Sequence, residues 1–183
     1  RSLAVARFAA FGLLVLGTIS AAGCGRSGPE QFDPQIFTWT GELTAPATIH
    51  LRNLNGDIEV KPSNDAHVRI TASARWHRGN PKTDLDFVVA SATNELTMCV
   101  LWTKGTCTAT RYSSKPDFFR SFGKGRGSDA NVTLTVFVPT SVKVDVLTVN
   151  GSVNVTATAS VTARTVNGDV RVATAVGPVD AAT

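Results

Sequence analysis

The chain has 183 residues, 18 of them Lys or Arg and 14 Asp or Glu, with a formal net charge of +4 and a pI near 9.3. Two of the cations, Arg1 and Arg7, lie in a leader-like opening. Without them the net charge falls to +2, too mild to support a nucleic-acid-binding reading, and about 160 residues remain, enough for one domain with its own core.

The opening "RSLAVARFAAFGLLVLGTISAAGC" has a basic front and then a charge-free run over 8–19. That run is shorter than the ~20 apolar residues a helix needs to cross a bilayer, so it reads as the apolar part of an export signal. Small residues follow, and then Cys24. The stretch resembles the lipobox of bacterial lipoproteins, with Ala21 where leucine is more usual. The resemblance implies a signal peptide over 1–23 and a diacylglyceryl group on Cys24, each buried methylene adding roughly 0.8 kcal/mol of membrane affinity. An ordinary secretory signal cleaved near Ala22 is the alternative, and it leaves Cys24 an odd free thiol. Residues 24–35, polar with two prolines, read as the lipidated cysteine and a flexible tether.

From residue 36 strand signals dominate. "IFTWT", "ATIHLRN", "DIEV", "HVRITASARW", "LDFVVAS" and "ELTMCVLW" alternate apolar with polar residues and are rich in Val, Ile, Thr and aromatics. Residues 107–111 read as a further strand after a turn at 103–106. This places Cys99 and Cys107 to form a disulfide across a hairpin, as expected of an exported protein. A metal or redox pair would need closer spacing or further Cys and His ligands. Over 111–130 the chain becomes a long loop rich in Gly and cations. Phe118, Phe119, Arg120, Phe122, Lys124 and Arg126 lie in it, and with Arg75, Trp76, His77 and Arg78 they form a candidate contact surface for sugars or anionic head groups. The alternative is that the phenylalanines fold back as a cap over one end of the core. "NVTLTVFVP" and "SVKVDVLTV" then resume the strands.

The last third repeats itself. Residues 144–155 align with 161–172 at an offset of 17, and "VDAAT" begins a further unit at an offset of 18. The chain stops where the next Asn-Gly would fall, so the last repeat is expected to be truncated. The turns are Asn150-Gly151 and Asn167-Gly168, with an earlier copy at Asn55-Gly56. As hairpins, the turn at Asn167 would set Arg164 opposite Arg171, an unfavourable like-charge pair, whereas the turn at Asn55 would pair Arg52 with Glu59. As coils of a β-solenoid, Val144 would stack on Val161, Val146 on Ala163 and Asn150 on Asn167. The coil reading is the expectation for the repeated units, and a hairpin suits the Asn55 copy.

Asn-Gly-Asp/Ser turns set in "V-x-V" strands, after a two-cysteine hairpin and a strand ending in "VFVPTSV", resemble the bacterial putative-adhesin β-solenoid family, a domain of unknown function. The resemblance covers about residues 36–183. It implies an all-β, β-helix-like stack with irregular N-terminal strands, and brings no catalytic or binding residues with it.

Chemistry-bearing constellations are sparse. His50, His67 and His77 have no metal-ligand spacing, and Asp57 and Asp169 follow turn glycines where the middle copy has Ser152, so no metal site and no cofactor are expected. The sequence reads as a lipid-anchored, extracytoplasmic binding or scaffold module of the bacterial envelope, without catalysis. Its expected partners are the membrane, through the anchor, and envelope glycans or another envelope protein, with no nucleic acid. The alternatives are an exported polysaccharide-processing enzyme and an envelope-stress sensor acting through a protein partner.

Overall fold

Strands that alternate β-branched and polar residues each have one apolar face to bury, and two sheets laid face to face bury them together. In the computed structural model, which describes residues 28–43, 45–102, 105–114, 128–156, 158–173 and 175–183, the elements run as follows. They are β1 (Gln31–Glu42), β2 (Thr48–Arg52), β3 (Ile58–Ser63), β4 (His67–Trp76), α1 (Pro81–Asp84), β5 (Leu85–Ala92), β6 (Glu95–Trp102), β7 (Gly105–Cys107), β8 (Tyr112–Ser114), β9 (Asn131–Pro139), β10 (Lys143–Leu147), β11 (Val153–Thr156), β12 (Val161–Arg164), β13 (Val170–Ala173) and β14 (Val179–Ala182).

One six-stranded sheet has the order β1-β4-β9-β3-β11-β13 and the other β14-β12-β10-β2-β6-β5, with β7-β8 as a separate hairpin. The protein is all-β, as its alternation predicts; α1 is one helical turn, with the Asn80 side chain accepting from the Lys82 amide at 3.0 Å. Ile49 and Leu51 of β2, Ile58 and Val60 of β3, Val144 and Val146 of β10, and Val153 and Val155 of β11 are buried in one core shared by the two sheets.

Three strand windows end where the sequence places them: β4, β6 and β9. Two differ. β1 begins at Gln31, inside the stretch read as tether, because Gln31, Phe32 and Asp33 pair with Trp76, Arg75 and Ala74 of β4. The strand expected over 107–111 is instead Gly105–Cys107, followed by a turn in which the Thr108 amide donates to the Arg111 carbonyl at 2.9 Å.

The repeat stacks. β10 and β12 are parallel with Val144 opposite Val161 and Val146 opposite Ala163, β11 and β13 are parallel with Val153 opposite Val170, and Asn150 bridges Asn167. The unit at an offset of 18 forms β14, which lies parallel on β12 with Val179 opposite Val161. The Asn55 copy is no hairpin: β2 lies in one sheet and β3 in the other, and Asn55 bridges Asn150, so it is a rung of the same stack 95 residues away. Arg52 therefore never meets Glu59 across a ladder. The sheets are nonetheless mixed, since β1-β4-β9 and β5-β6 pair antiparallel. Continuous coils over the whole of 36–183 are not what these strands form.

Thr, Asn and Gly of the repeated Thr-Val-Asn-Gly each have a part in the corner. The Thr148 hydroxyl donates to the Gly56 carbonyl at 3.1 Å and the Thr165 hydroxyl to the Gly151 carbonyl at 2.8 Å. Asn150 Nδ2 donates to Asn55 Oδ1 at 2.7 Å, and Asn167 Nδ2 to Asn150 Oδ1 at 2.8 Å. A Cβ on Gly151 would lie 2.2 Å from the Gly56 carbonyl oxygen, so glycine is required there by close approach of backbones.

Gly151→Ala should therefore destabilise the protein by about 2–3 kcal/mol and Asn150→Ala by about 1 kcal/mol, whereas Ser152→Ala should stay within about 0.5 kcal/mol. Urea denaturation at neutral pH measures all three, and equal losses would contradict the corner geometry.

Candidate functional site

β6 reads as an almost continuous apolar run because both of its faces are buried. Leu96, Met98, Val100 and Trp102 enter the shared core, while Cys99 and Leu101 are buried on the opposite, outer face of the sheet. The β7-β8 hairpin lies over that outer face. Cys99 and Cys107 form the expected disulfide, with Cα atoms 6.0 Å apart, and Tyr112 donates its hydroxyl to the Val100 carbonyl at 2.7 Å. Ser114 Oγ accepts from the Trp102 amide at 2.7 Å. Burial pushes the Tyr112 phenol up to about 12.

Beside the hairpin, parallel pairing of β2 with β10 sets His50 opposite Asp145 and Arg52 opposite Leu147. Arg52 is 6% exposed and donates four hydrogen bonds to oxygen. Nη1 donates to the Leu51 carbonyl at 3.2 Å and the Asp145 carbonyl at 2.9 Å, and Nη2 to Asp145 Oδ2 at 2.5 Å and the Ala109 carbonyl at 2.8 Å. His50 Nδ1 lies 2.8 Å from Asp145 Oδ2. With the carboxylate ionised, Nδ1 carries the proton, so in neutral His50 the lone pair falls on Nε2, a buried atom without a hydrogen-bond partner among the described residues. Burial alone would raise the Asp145 carboxyl, but the hydrogen bonds from Arg52 and His50 outweigh it and hold the group below its ordinary range.

These side chains, with Thr110, Tyr112 and Arg164, line an open cleft of about 370 Å³. Arg164 is exposed and pairs with Asp180 at 2.8 Å. The geometry makes Arg52 a clamp that ties the turn after β7 to the sheet, because its donors reach the carbonyl of Ala109 on one side and Asp145 on the other. Among the described residues no group of three His, Cys, Asp or Glu side chains could hold a metal. The cluster escaped the sequence reading: His50, Arg52 and Asp145 occupy the outward phase of their strands, and only the pairing of β2 with β10 brings them together.

The predicted contact surface is described only in part. Trp76 is half-buried against the core, and Arg75 stacks over the Phe32 ring at 4.5 Å. Asp129 Oδ1 accepts the amides of His77 and Arg78, each at 2.9 Å, and Asp129 Oδ2 faces Arg78 Nε at 3.4 Å. Trp76 and Arg78 thus sit where the chain enters β9. Phe118, Phe119, Arg120, Phe122, Lys124, Arg126 and Cys24 lie outside the described residues.

No family model and no curated protein matches the chain. Among solved structures it is similar to a putative cell adhesion protein from Clostridium sporogenes, at 6% identity and a TM-score of 0.36, over 84% of this chain and 98% of that one. It is also similar to a putative lipid binding protein from Parabacteroides distasonis, at 10% identity and a TM-score of 0.25, over 74% of this chain and 59% of that one. Scores and identities this low carry no argument about activity.

A carboxyl held low in the folded state stabilises above its unfolded value, and that contribution is lost as pH falls through the folded one. At neutral pH Asp145→Asn should cost about 2 kcal/mol, and the gap to wild type should narrow between about pH 5 and pH 2 in urea titrations. A gap independent of pH would mean that Asp145 is not ionised against Arg52. Replacing both Cys99 and Cys107 with Ala should cost about 2–3 kcal/mol and speed amide exchange in β7 and β8 before it does so in β10.

Proposed function

We propose that this chain is an extracytoplasmic binding and scaffold module, held at a bacterial membrane by a lipid on Cys24 and acting without catalysis. The observation that carries the reading is the Cys99–Cys107 bond, since structural disulfides belong to oxidising compartments, and the lipobox-like opening agrees with it. In this reading the signal peptide over 1–23 is removed and Cys24 becomes the first residue. β1 starts at Gln31, so the seven steps from Cys24 reach at most about 25 Å, and the sheets stay close to the lipid surface.

The parallel rungs are, in the same reading, one end of a β-solenoid of the adhesin-like kind the sequence resembles. A solenoid displays its outer strand faces and loops while its corners hold the register. The basic aromatic segment from Phe118 to Arg126, together with Trp76 and Arg78, is the proposed contact surface, and polyanionic glycans or another envelope protein are its partners. Arginines and lysines interleaved with aromatic rings suit such ligands, because rings stack on sugar faces while cations meet acidic groups.

Palmitate labelling of cells producing the chain should be lost in Cys24→Ala, with the protein moving from the membrane to the soluble exported fraction. Labelling that survives the substitution would remove the anchor from the proposal. Independently, replacing Arg120, Lys124 and Arg126 together with Ala should abolish saturable binding to immobilised anionic envelope glycans, and unchanged binding would move the contact surface elsewhere.

A further inference from the structure

Residues 28–32 show where the chain joins the fold. A Cβ built on Gly28 would lie 3.5 Å from the His77 carbonyl oxygen, and Arg75 Nη1 donates to Glu30 Oε2 at 3.5 Å. Gln31 and Phe32 then pair with Trp76 and Arg75. The approach to β1 thus runs along the end of β4, at one corner of the molecule. Four steps separate Cys24 from Gly28, a reach of at most about 14 Å. With a lipid on Cys24, this corner is the part of the described fold held nearest the bilayer.

The exposed surface of the corner is amphipathic. Phe32 is 51% exposed, and the Arg75 guanidinium lies over its ring at 4.5 Å. Asn131, the first residue of β9, pairs with Arg75 and is exposed in the same row. A ring and a guanidinium stacked in this way present apolar area and a cation to the same boundary. That combination suits the interface of a membrane, where the apolar part enters the acyl boundary and the charge stays among the head groups.

Charge selects among membrane surfaces. Arg75 pairs with Glu30 at 3.5 Å and Lys82 of α1 pairs with Asp33 at 2.8 Å, and Arg75, Glu30 and Lys82 are exposed. Two cations and two carboxylates leave these pairs without net charge, so they have little attraction for an anionic surface. Head groups that carry a phosphate beside an ammonium complement them. The phosphate accepts from Arg75 and Lys82, and the ammonium donates to Glu30 and Asp33.

We propose that the corner formed by Phe32, Arg75, Lys82 and their carboxylate partners docks on zwitterionic phospholipid head groups, with the outer face of β10 turned away from the membrane. The inference rests on the lipid-anchor reading of Cys24 and adds to it the surface that meets the bilayer. The anchor keeps the corner within reach of the head groups, so contacts too weak to recruit a free protein suffice to orient a tethered one.

The test uses the full chain, lipidated in cells and reconstituted into vesicles of phosphatidylethanolamine and phosphatidylcholine. With Cys24 acylated and Cys99 bonded to Cys107, Asn131→Cys or Lys143→Cys supplies the one free thiol for a fluorophore. Lys143 is exposed on β10, in the other sheet. With a nitroxide on the phosphatidylcholine head groups, the label at position 131 should lose about half its emission or more and that at 143 under about a tenth, because the head-group layer is only about 5–7 Å deep. Adding Phe32→Ser and Arg75→Gln should bring quenching at 131 down to the level at 143 while palmitate labelling persists. Equal quenching at the two positions, or quenching at 131 that survives those substitutions, would overturn the docking surface and leave the anchor standing. Quenching at 131 that appears only when phosphatidylglycerol is added would overturn it too, by making net charge the determinant. A chain that takes up no palmitate would remove both readings together.

Discussion

The closeness with which one Asn-Gly corner sits on the next governs this structure. Gly151 approaches the Gly56 carbonyl, and Gly168 the Gly151 carbonyl, to distances that no side chain could tolerate. A corner that fits only one way fixes the register of both strands leaving it. Register in turn decides which residues face inward, because a slip of one residue would carry Val144, Val146, Val153 and Val155 from the core to solvent. The glycine is thus the reason the apolar alternation on either side has a single solution. The Thr three residues earlier satisfies a carbonyl that this close approach would otherwise leave buried and unpaired, while the exposed Asn side chains bond one another from corner to corner.

The same register builds the outer face. Once β10 lies on β2 with Asp145 beside His50, the Arg52 guanidinium has a carboxylate within reach and can be buried at an acceptable desolvation cost. Arg52 then offers a donor to Ala109, and the disulfide fixes the other flank of the hairpin through Cys107. The disulfide and the hydrogen bonds made by Arg52, Tyr112 and Ser114 hold the small β7-β8 hairpin over β6. They also explain why β6 is apolar on both faces where its neighbours alternate.

Local chemistry made much of this legible, and sequence distance hid the rest. β4 and β9 could be bounded from alternation and β6 from its apolar, β-branched and aromatic composition, because turn residues or charges flank them. The 17-residue rungs were legible because they are consecutive. The first Asn-Gly was misread, since an isolated copy satisfies the requirements of a hairpin and Arg52 and Glu59 lie at a plausible pairing distance. What decides against the hairpin is a partner 95 residues later, and no local signal carries that. The Arg52–Asp145 cluster was hidden for the same reason: 93 residues separate its members, each of which alone looks like an ordinary outward-facing charge on a strand.

The two ends of the stack are built on different principles. At one end β1 and β5 pair antiparallel with β4 and β6, and Phe37 of β1 stacks on Phe87 of β5 with ring centroids 4.8 Å apart, linking the edges of both sheets. β1 also carries Pro34 and a register irregularity between Asp33 and Phe37, features that discourage further pairing on an edge. At the other end no aromatic pair joins β13 to β14 among the described residues, the strands run parallel, and every corner repeats the chemistry of the one beneath. A closed end and a templated end give the stack a direction. Strand addition is therefore opposed at β1, where proline and a register irregularity break the pattern that a further strand would need.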